Sequence, residues 1–161
     1  YHAARLLLNH VQVPAENVYR VKGELPTKAA VLDYAAQLQS FAAEGRKWPR
    51  FDLVLLGMGS DGHTASLFPG SPVGDEVGIG FKAVTAEYEG RPAQRLTLTP
   101  AVFNDAGHVL FLVTGANKAE TLSAVLDGPF VPEHLPAQRI QASTGIVTWF
   151  IDQAAAAHLL L

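Results

Sequence analysis

The spacing of apolar positions changes period several times along the chain, and each change marks a separate element. FDLVLLG (51–57) and HVLFLV within GHVLFLVTG (107–115) are apolar at nearly every position. Such runs predict strands covered on both faces, with FDLVLLG a central one. In TKAAVLDYAAQLQSFAAE (27–44), Val31, Tyr34/Ala35, Leu38 and Phe41/Ala42 recur instead at helical spacing. This predicts a long helix with one buried face, capped by Thr27 and ending toward Gly45. The opening YHAARLLLNHV reads as an amphipathic helix closed by Pro14, and NVYRV (17–21) alternates like a short strand.

Further along, FKAVTAEY (81–88) and QRLTLT (94–99) predict strands separated by the turn residues EGRP. Pro100 opens a short helix, and ANKAETLSAVLDG (116–128) a longer one that stops at Gly128-Pro129. GIVTWFI (145–151) predicts a strand and DQAAAAHLL (152–160) a last helix. Strands alternating with helices predict a single α/β domain over 1–161, with a Rossmann-like, mostly parallel sheet flanked by helices. Ligands of such sheets bind beyond the carboxyl ends of the strands. The loops in LLGMGSDGH (55–63) and LVTGANKA (112–119) are therefore the places to look.

Composition narrows the function. With 48% hydrophobic and 17% charged residues, the chain is a folded globular one. A net charge of −3 and a pI near 6.0 supply no electrostatic ground for nucleic acid or an anionic membrane as partner. No apolar run approaches the ~18 residues of a membrane span. The chain has no cysteine, which removes disulfides, thiolate zinc sites and cysteine nucleophiles and fits a cytoplasmic protein. The six histidines lack H-x-x-x-H or H-E-x-x-H spacing, so neither metal nor cofactor is expected. His2, His10 and His158 read as surface residues, His108 as structural, Trp48 and Trp149 as packing groups, and Asp75 and Glu76 as solvated turn residues. No G-x-S-x-G elbow is present.

The loop GMGSDGHTASLFPG (57–70) carries the candidate chemistry. Gly57, Gly59 and Gly62 fit a dinucleotide-binding turn, and Glu87 stands where its acid belongs. Pro69-Gly70-Ser71-Pro72, however, leaves no room for the long helix whose N-terminus would face a pyrophosphate. A catalytic reading explains more. The glycines allow close backbone approach and free N–H groups, an imidazole at His63 can take and return a proton, and Asp61 can fix its tautomer. Thr64 and Ser66 could cap a short helix or touch ligand. A surface histidine in a tight turn, with Asp61 as a cap, accounts for the same residues, and the pattern alone leaves both open.

FDLVLLGMGSDGHTASLFPGSP closely resembles the signature of 6-phosphogluconolactonases, hydrolases of the oxidative pentose phosphate pathway. RLTLTPAVFNDAGHVLFLVTGANKAETLSAVL resembles that family's second block, and Pro136–Ile140 with IVTWFID its C-terminal part. Glucosamine-6-phosphate isomerases share the G-x-G-x-D-G-H core, but they normally continue Ile-Ala-Phe-Asn-Glu-Pro where this chain has Thr-Ala-Ser-Leu-Phe-Pro at 64–69. The resemblance implies His63 as the catalytic base, Asp61 as its neighbouring acid and Lys118 as a sugar-phosphate ligand. Arg95 either reaches phosphate or pairs with an acid at a strand edge. The family's Gly-Gly-Ser-Thr-Pro-like loop and Asp-Glu-Arg motif are not found here, so the chain resembles the C-terminal two-thirds of a lactonase. The implied function is hydrolysis of a sugar-phosphate lactone by a monomer or weak dimer. The alternatives are the amino-sugar isomerase and a truncated, non-catalytic sugar-phosphate-binding domain.

Overall fold

Residues 2–71, 78–86, 90 and 93–160 are described by a computed structural model. Tyr1, Pro72, Asp75, Glu76, Glu87 and most of the EGRP turn lie outside them, with the expectations attached to those residues. A short helix α1 (His2–Leu6) opens the chain, and α2 (Thr27–Ser40) follows after an irregular, exposed stretch. Next come β1 (Leu53–Gly57), the glycine loop, β2 (Phe81–Thr85), β3 (Gln94–Leu98) and a single-turn helix α3 (Pro100–Phe103). The strand β4 (His108–Val113), the helix α4 (Ala119–Leu126) and the strand β5 (Ile146–Ile151) complete the described elements.

β1, β4 and β5 form a parallel sheet in the order β1-β4-β5, with Leu53 opposite His108 and His108 opposite Ile146. β2 and β3 form a separate antiparallel pair, Phe81 opposite Leu98. Tyr34 of α2 packs on Phe81 at 4.8 Å between ring centres, which seats this pair against α2. The α/β architecture is thus the one the alternation of periods predicts, with an antiparallel hairpin beside the parallel sheet.

Side chains alternate across a strand, so the register sorts them by face. Val54, Val109, Phe111 and Val113 are buried on one face, where they cluster with Leu122 and Val125 of α4, Phe103 of α3, and Met58 and Leu67 of the glycine loop. The Trp149 ring stacks on Phe111 at 3.8 Å, the packing role expected of it. Fully buried side chains such as Phe111 and Leu122 contribute about 1.5–3 kcal/mol each. The other face carries Leu53, Leu55, Leu112, Ile146 and Phe150, each more than half exposed. Here the expectation for FDLVLLG fails. β1 is an edge strand of the described sheet, and only one of its two apolar faces is covered.

Four local expectations also change. NVYRV forms no strand: residues 15–17 make a 3₁₀ turn, Tyr19 packs edge-on against Phe41 at 4.7 Å, and Arg20 forks onto Glu24 at 2.6 and 2.9 Å. No described strand lies alongside to take its backbone groups. α2 ends at Ser40, and Thr27 is its first residue rather than its cap, with its hydroxyl donating to Gln94. The opening helix is one turn long and continues only as a 3₁₀ turn, Leu8–His10. DQAAAAHLL forms turns instead of a helix. The Asp152 carboxylate accepts from the amides of Gly115 (3.1 Å) and Ala155 (2.8 Å), and Leu160 N–H donates to Asp127 (3.2 Å), so tertiary bonds hold the tail.

Candidate functional site

The site begins where β1 leaves the sheet. Gly62 N–H donates to Gly59 O (3.1 Å) and Gly59 N–H to His63 O (2.8 Å), folding residues 59–63 into a closed loop. Gly62 has φ +81, a region that favours glycine, and its missing Cβ leaves room for Leu135. Two N–H groups expected to be free are therefore engaged inside the loop. At Gly59 it is the lack of a side chain that matters, because the His63 ring and the Asp61 carboxylate occupy the space a Cβ would fill.

Beyond His63 the chain turns rather than entering a helix. Thr64 pairs with Leu67 through a single bridge closed by Leu67 N–H to Thr64 O (2.8 Å). Ala65 adopts φ 50, a left-handed conformation that costs a non-glycine residue about 1–2 kcal/mol. The fully buried Thr64 hydroxyl donates to Gly57 O (2.8 Å), and Ser66 N–H donates to Thr97 Oγ1 (3.3 Å). Thr64 is thus a staple across the loop, neither a helix cap nor a ligand contact.

His63 and Asp61 meet as the two-residue spacing allows. Asp61 Oδ1 lies 2.6 Å from His63 Nδ1 and also accepts from the His63 N–H at 3.1 Å. An ionised carboxylate only accepts, so this contact holds a proton on Nδ1, and in the neutral ring the lone pair is then that of Nε2. The side chains keep 16% and 33% of their exposure, for His63 and Asp61 respectively, so the pair reaches solvent. Against the imidazole lies Phe68, stacked at 4.6 Å and 25°.

Lys118 comes to the same loop from β4. It ends the 3₁₀ turn Ala116–Lys118, and its ammonium donates to the Met58 carbonyl. Thr121 of α4 donates to Ser60 O (2.6 Å), and Ala137 N–H to Gly62 O (2.9 Å). Three alternate carbonyls of the glycine loop are thus held by the 3₁₀ turn Ala116–Lys118, by α4 and by the 3₁₀ turn Pro136–Arg139. That turn is itself fixed by Gln138, a buried amide that accepts from Val131 N–H (2.7 Å) and donates to Pro129 O (2.9 Å).

Arg95 lies on β3. Its Nε donates to Ala86 O (3.4 Å), and its guanidinium sits 5.2 Å from the centre of the Phe68 ring. One terminal nitrogen is buried with no hydrogen-bond partner among the described residues, and no described acid pairs with it. Sequence reasoning singled out His63, Asp61, Gly57, Gly59, Gly62 and Lys118, which the fold gathers on one loop. It missed Phe68, Thr121, Leu135 and Gln138. For Phe68, Thr121 and Gln138 the only signal was the resemblance of the blocks that contain them; Leu135 lies just before one of those blocks. Among the described residues, no three His, Asp or Glu side chains converge to hold a metal ion.

Residues 1–149 match the family model described as glucosamine-6-phosphate isomerases/6-phosphogluconolactonase. A 6-phosphogluconolactonase of Rattus norvegicus is 41% identical over 150 residues, which are 93% of this chain and 57% of the relative. The chain thus spans little more than half of that relative's length. Among solved structures, the devB protein is 32% identical with a TM-score of 0.84, over 98% of this chain and 65% of the other. A 6-phosphogluconolactonase from Trypanosoma brucei is 30% identical with a TM-score of 0.78, over 98% and 66%.

Proposed function

Because the chain belongs to the glucosamine-6-phosphate isomerase/6-phosphogluconolactonase family, we propose that it hydrolyses 6-phospho-D-glucono-1,5-lactone to 6-phosphogluconate. His63 is the general base and Asp61 its orienting acid. The Nε2 lone pair takes a proton from water as the water oxygen adds to the lactone carbonyl. The C1–ring-oxygen bond then breaks, and the imidazolium returns the proton to that oxygen, leaving a hydroxyl and a carboxylic acid. Lys118 anchors the phosphate away from the reacting carbon, so that binding energy at one end orients the other. Gly57, Gly59 and Gly62 serve substrate binding through the bend that presents His63, with the space beside Gly59 given to the His63–Asp61 pair and that beside Gly62 to Leu135.

The observation that carries this reading is the 2.6 Å contact between Asp61 and His63 Nδ1 on a loop also held by Lys118. The chain has no cysteine, which fits a reducing compartment such as the cytoplasm, where we place it as a monomer or weak dimer. The bare apolar sheet face supports the further reading that residues 1–161 are part of a larger lactonase domain. The test is lactone disappearance above spontaneous hydrolysis, using the intact gene product. His63→Ala is expected to lower kcat about 10²–10⁴-fold while 6-phosphogluconate still binds. Unchanged turnover removes His63 from its role. Ammonia release from glucosamine 6-phosphate would instead identify the isomerase reaction.

A further inference from the structure

The direction in which the chain leaves β4 decides where Lys118 goes, and Gly115 sets that direction. It precedes the 3₁₀ turn Ala116–Lys118 with φ 99 and ψ 142, a backbone conformation that side chains rarely adopt. Its carbonyl accepts from the Lys118 N–H at 3.1 Å and closes the turn from which the ammonium reaches the Met58 carbonyl. A glycine permits this conformation but does not select it, because many others are equally open to it.

Asp152 makes the selection from the end of the neighbouring strand β5. Its two carboxylate oxygens each lie 3.1 Å from the Gly115 nitrogen and share its N–H. Strand register brings the acid there: Ile151 stands opposite Val113, and Asp152 N–H donates to Val113 O at 3.3 Å. The tail then orients the carboxylate, since Oδ1 also accepts from the N–H of the fully buried Ala155 at 2.8 Å. A hydrogen bond to a charged acceptor is roughly twice as strong as a neutral one, which suits this contact to fix a flexible residue. The run of contacts from Asp152 through Gly115 and Lys118 to Met58 crosses the carboxyl ends of β5, β4 and β1, where ligands of such sheets bind.

We propose that Asp152 is a positioning residue for substrate binding, which fixes Gly115 and through it the Lys118 ammonium that holds the sugar phosphate. This rests on the reading of Lys118 as the phosphate anchor. By charge alone an acid beside an anion site opposes the ligand, so its removal would tighten binding. A positioning role reverses the sign, because a displaced ammonium holds the phosphate more weakly.

The experiment measures kcat and KM for lactone hydrolysis in the intact gene product, together with the NMR resonance of the Gly115 amide. Asp152→Ala is expected to raise KM about fivefold with kcat within about twofold, and to shift the amide upfield as its acceptor is lost. Asp152→Asn keeps a carbonyl oxygen in place and returns KM to within about twofold of the parent's. Gly115→Ala, strained at φ 99, raises KM in the same way with the acid intact. In the Lys118→Met background, Asp152→Ala raises KM no further. A parent-like or lowered KM in Asp152→Ala overturns the proposal, as does an unmoved Gly115 amide or a further rise in the Lys118→Met background. Parent-like KM in Gly115→Ala overturns it as well, which keeps the test decisive should Asp152→Ala fail to fold. An unchanged KM in Lys118→Met removes the anchor itself, whereas a raised one beside parent-like Asp152→Ala sinks only the positioning role.

Discussion

Gly59→Ala separates the proposed catalytic pair from the fold that carries it. A Cβ at this position would stand 2.6 Å from Asp61 Oδ1 and well inside 3 Å of His63 Nδ1 and Cε1. Attractive contacts between heavy atoms begin near 3.5 Å, so ring and carboxylate must retreat by about an ångström or more. That displacement takes apart the 2.6 Å contact between them. A hydrogen bond to a charged group contributes about 1.5–3 kcal/mol. A shift of that size in a catalytic group costs roughly 10²-fold in rate. The expected outcome is therefore a kcat about 10²-fold lower. The loss of stability should not exceed that hydrogen bond's contribution, because Gly59 lies outside the left-handed region and both displaced side chains are partly exposed. Gly62→Ala is the control. Its φ of +81 and a Cβ 2.9 Å from Leu135 Cδ2 predict a lowered Tm. Lactone hydrolysis and thermal melts on the same preparations decide the matter. A Gly59→Ala protein with kcat within about threefold of the parent would refute the claim that this contact sets the geometry.

Lys118→Met is expected to raise KM for the lactone about tenfold or more while kcat is largely kept, the signature of a remote anchor, read from steady-state kinetics. Thr64→Val removes the buried hydroxyl that donates to Gly57 O at 2.8 Å, and urea unfolding should show a loss of about 1–2 kcal/mol. Gln138→Leu strands the Val131 N–H and the Pro129 carbonyl. A loss of about 2–3 kcal/mol is expected, visible as a Tm lower by roughly 2–4 °C for each kcal/mol.

Much of the site was legible because its chemistry is local. Asp61 and His63 stand two residues apart on a loop whose glycines permit the bend, so their contact needs little from the rest of the chain. Lys118 was singled out by the family resemblance together with its place after a strand and at the opening of a helix. Arg95 was less legible. Its sequence context offers phosphate or an acid as partners, and no local pattern signals that its guanidinium also lies over Phe68, 27 positions earlier in the chain. Thr27 and DQAAAAHLL were misread for the same reason, since distant partners, Gln94 and Gly115, determine what Thr27 and Asp152 bond to.

The pattern of apolar and polar residues by itself determined the order of strands and helices, the α/β class and the loop that bears the histidine. These depend on side-chain period and backbone preference over a few residues. Among the described residues, tertiary structure alone decided that β1 lies at the edge of a three-stranded sheet, that one face of that sheet is exposed, and that Phe68 returns to the imidazole. It also brought the ammonium of Lys118 to a carbonyl sixty residues before it. Such contacts come from packing elements distant in sequence, and no local periodicity encodes which distant surfaces will meet.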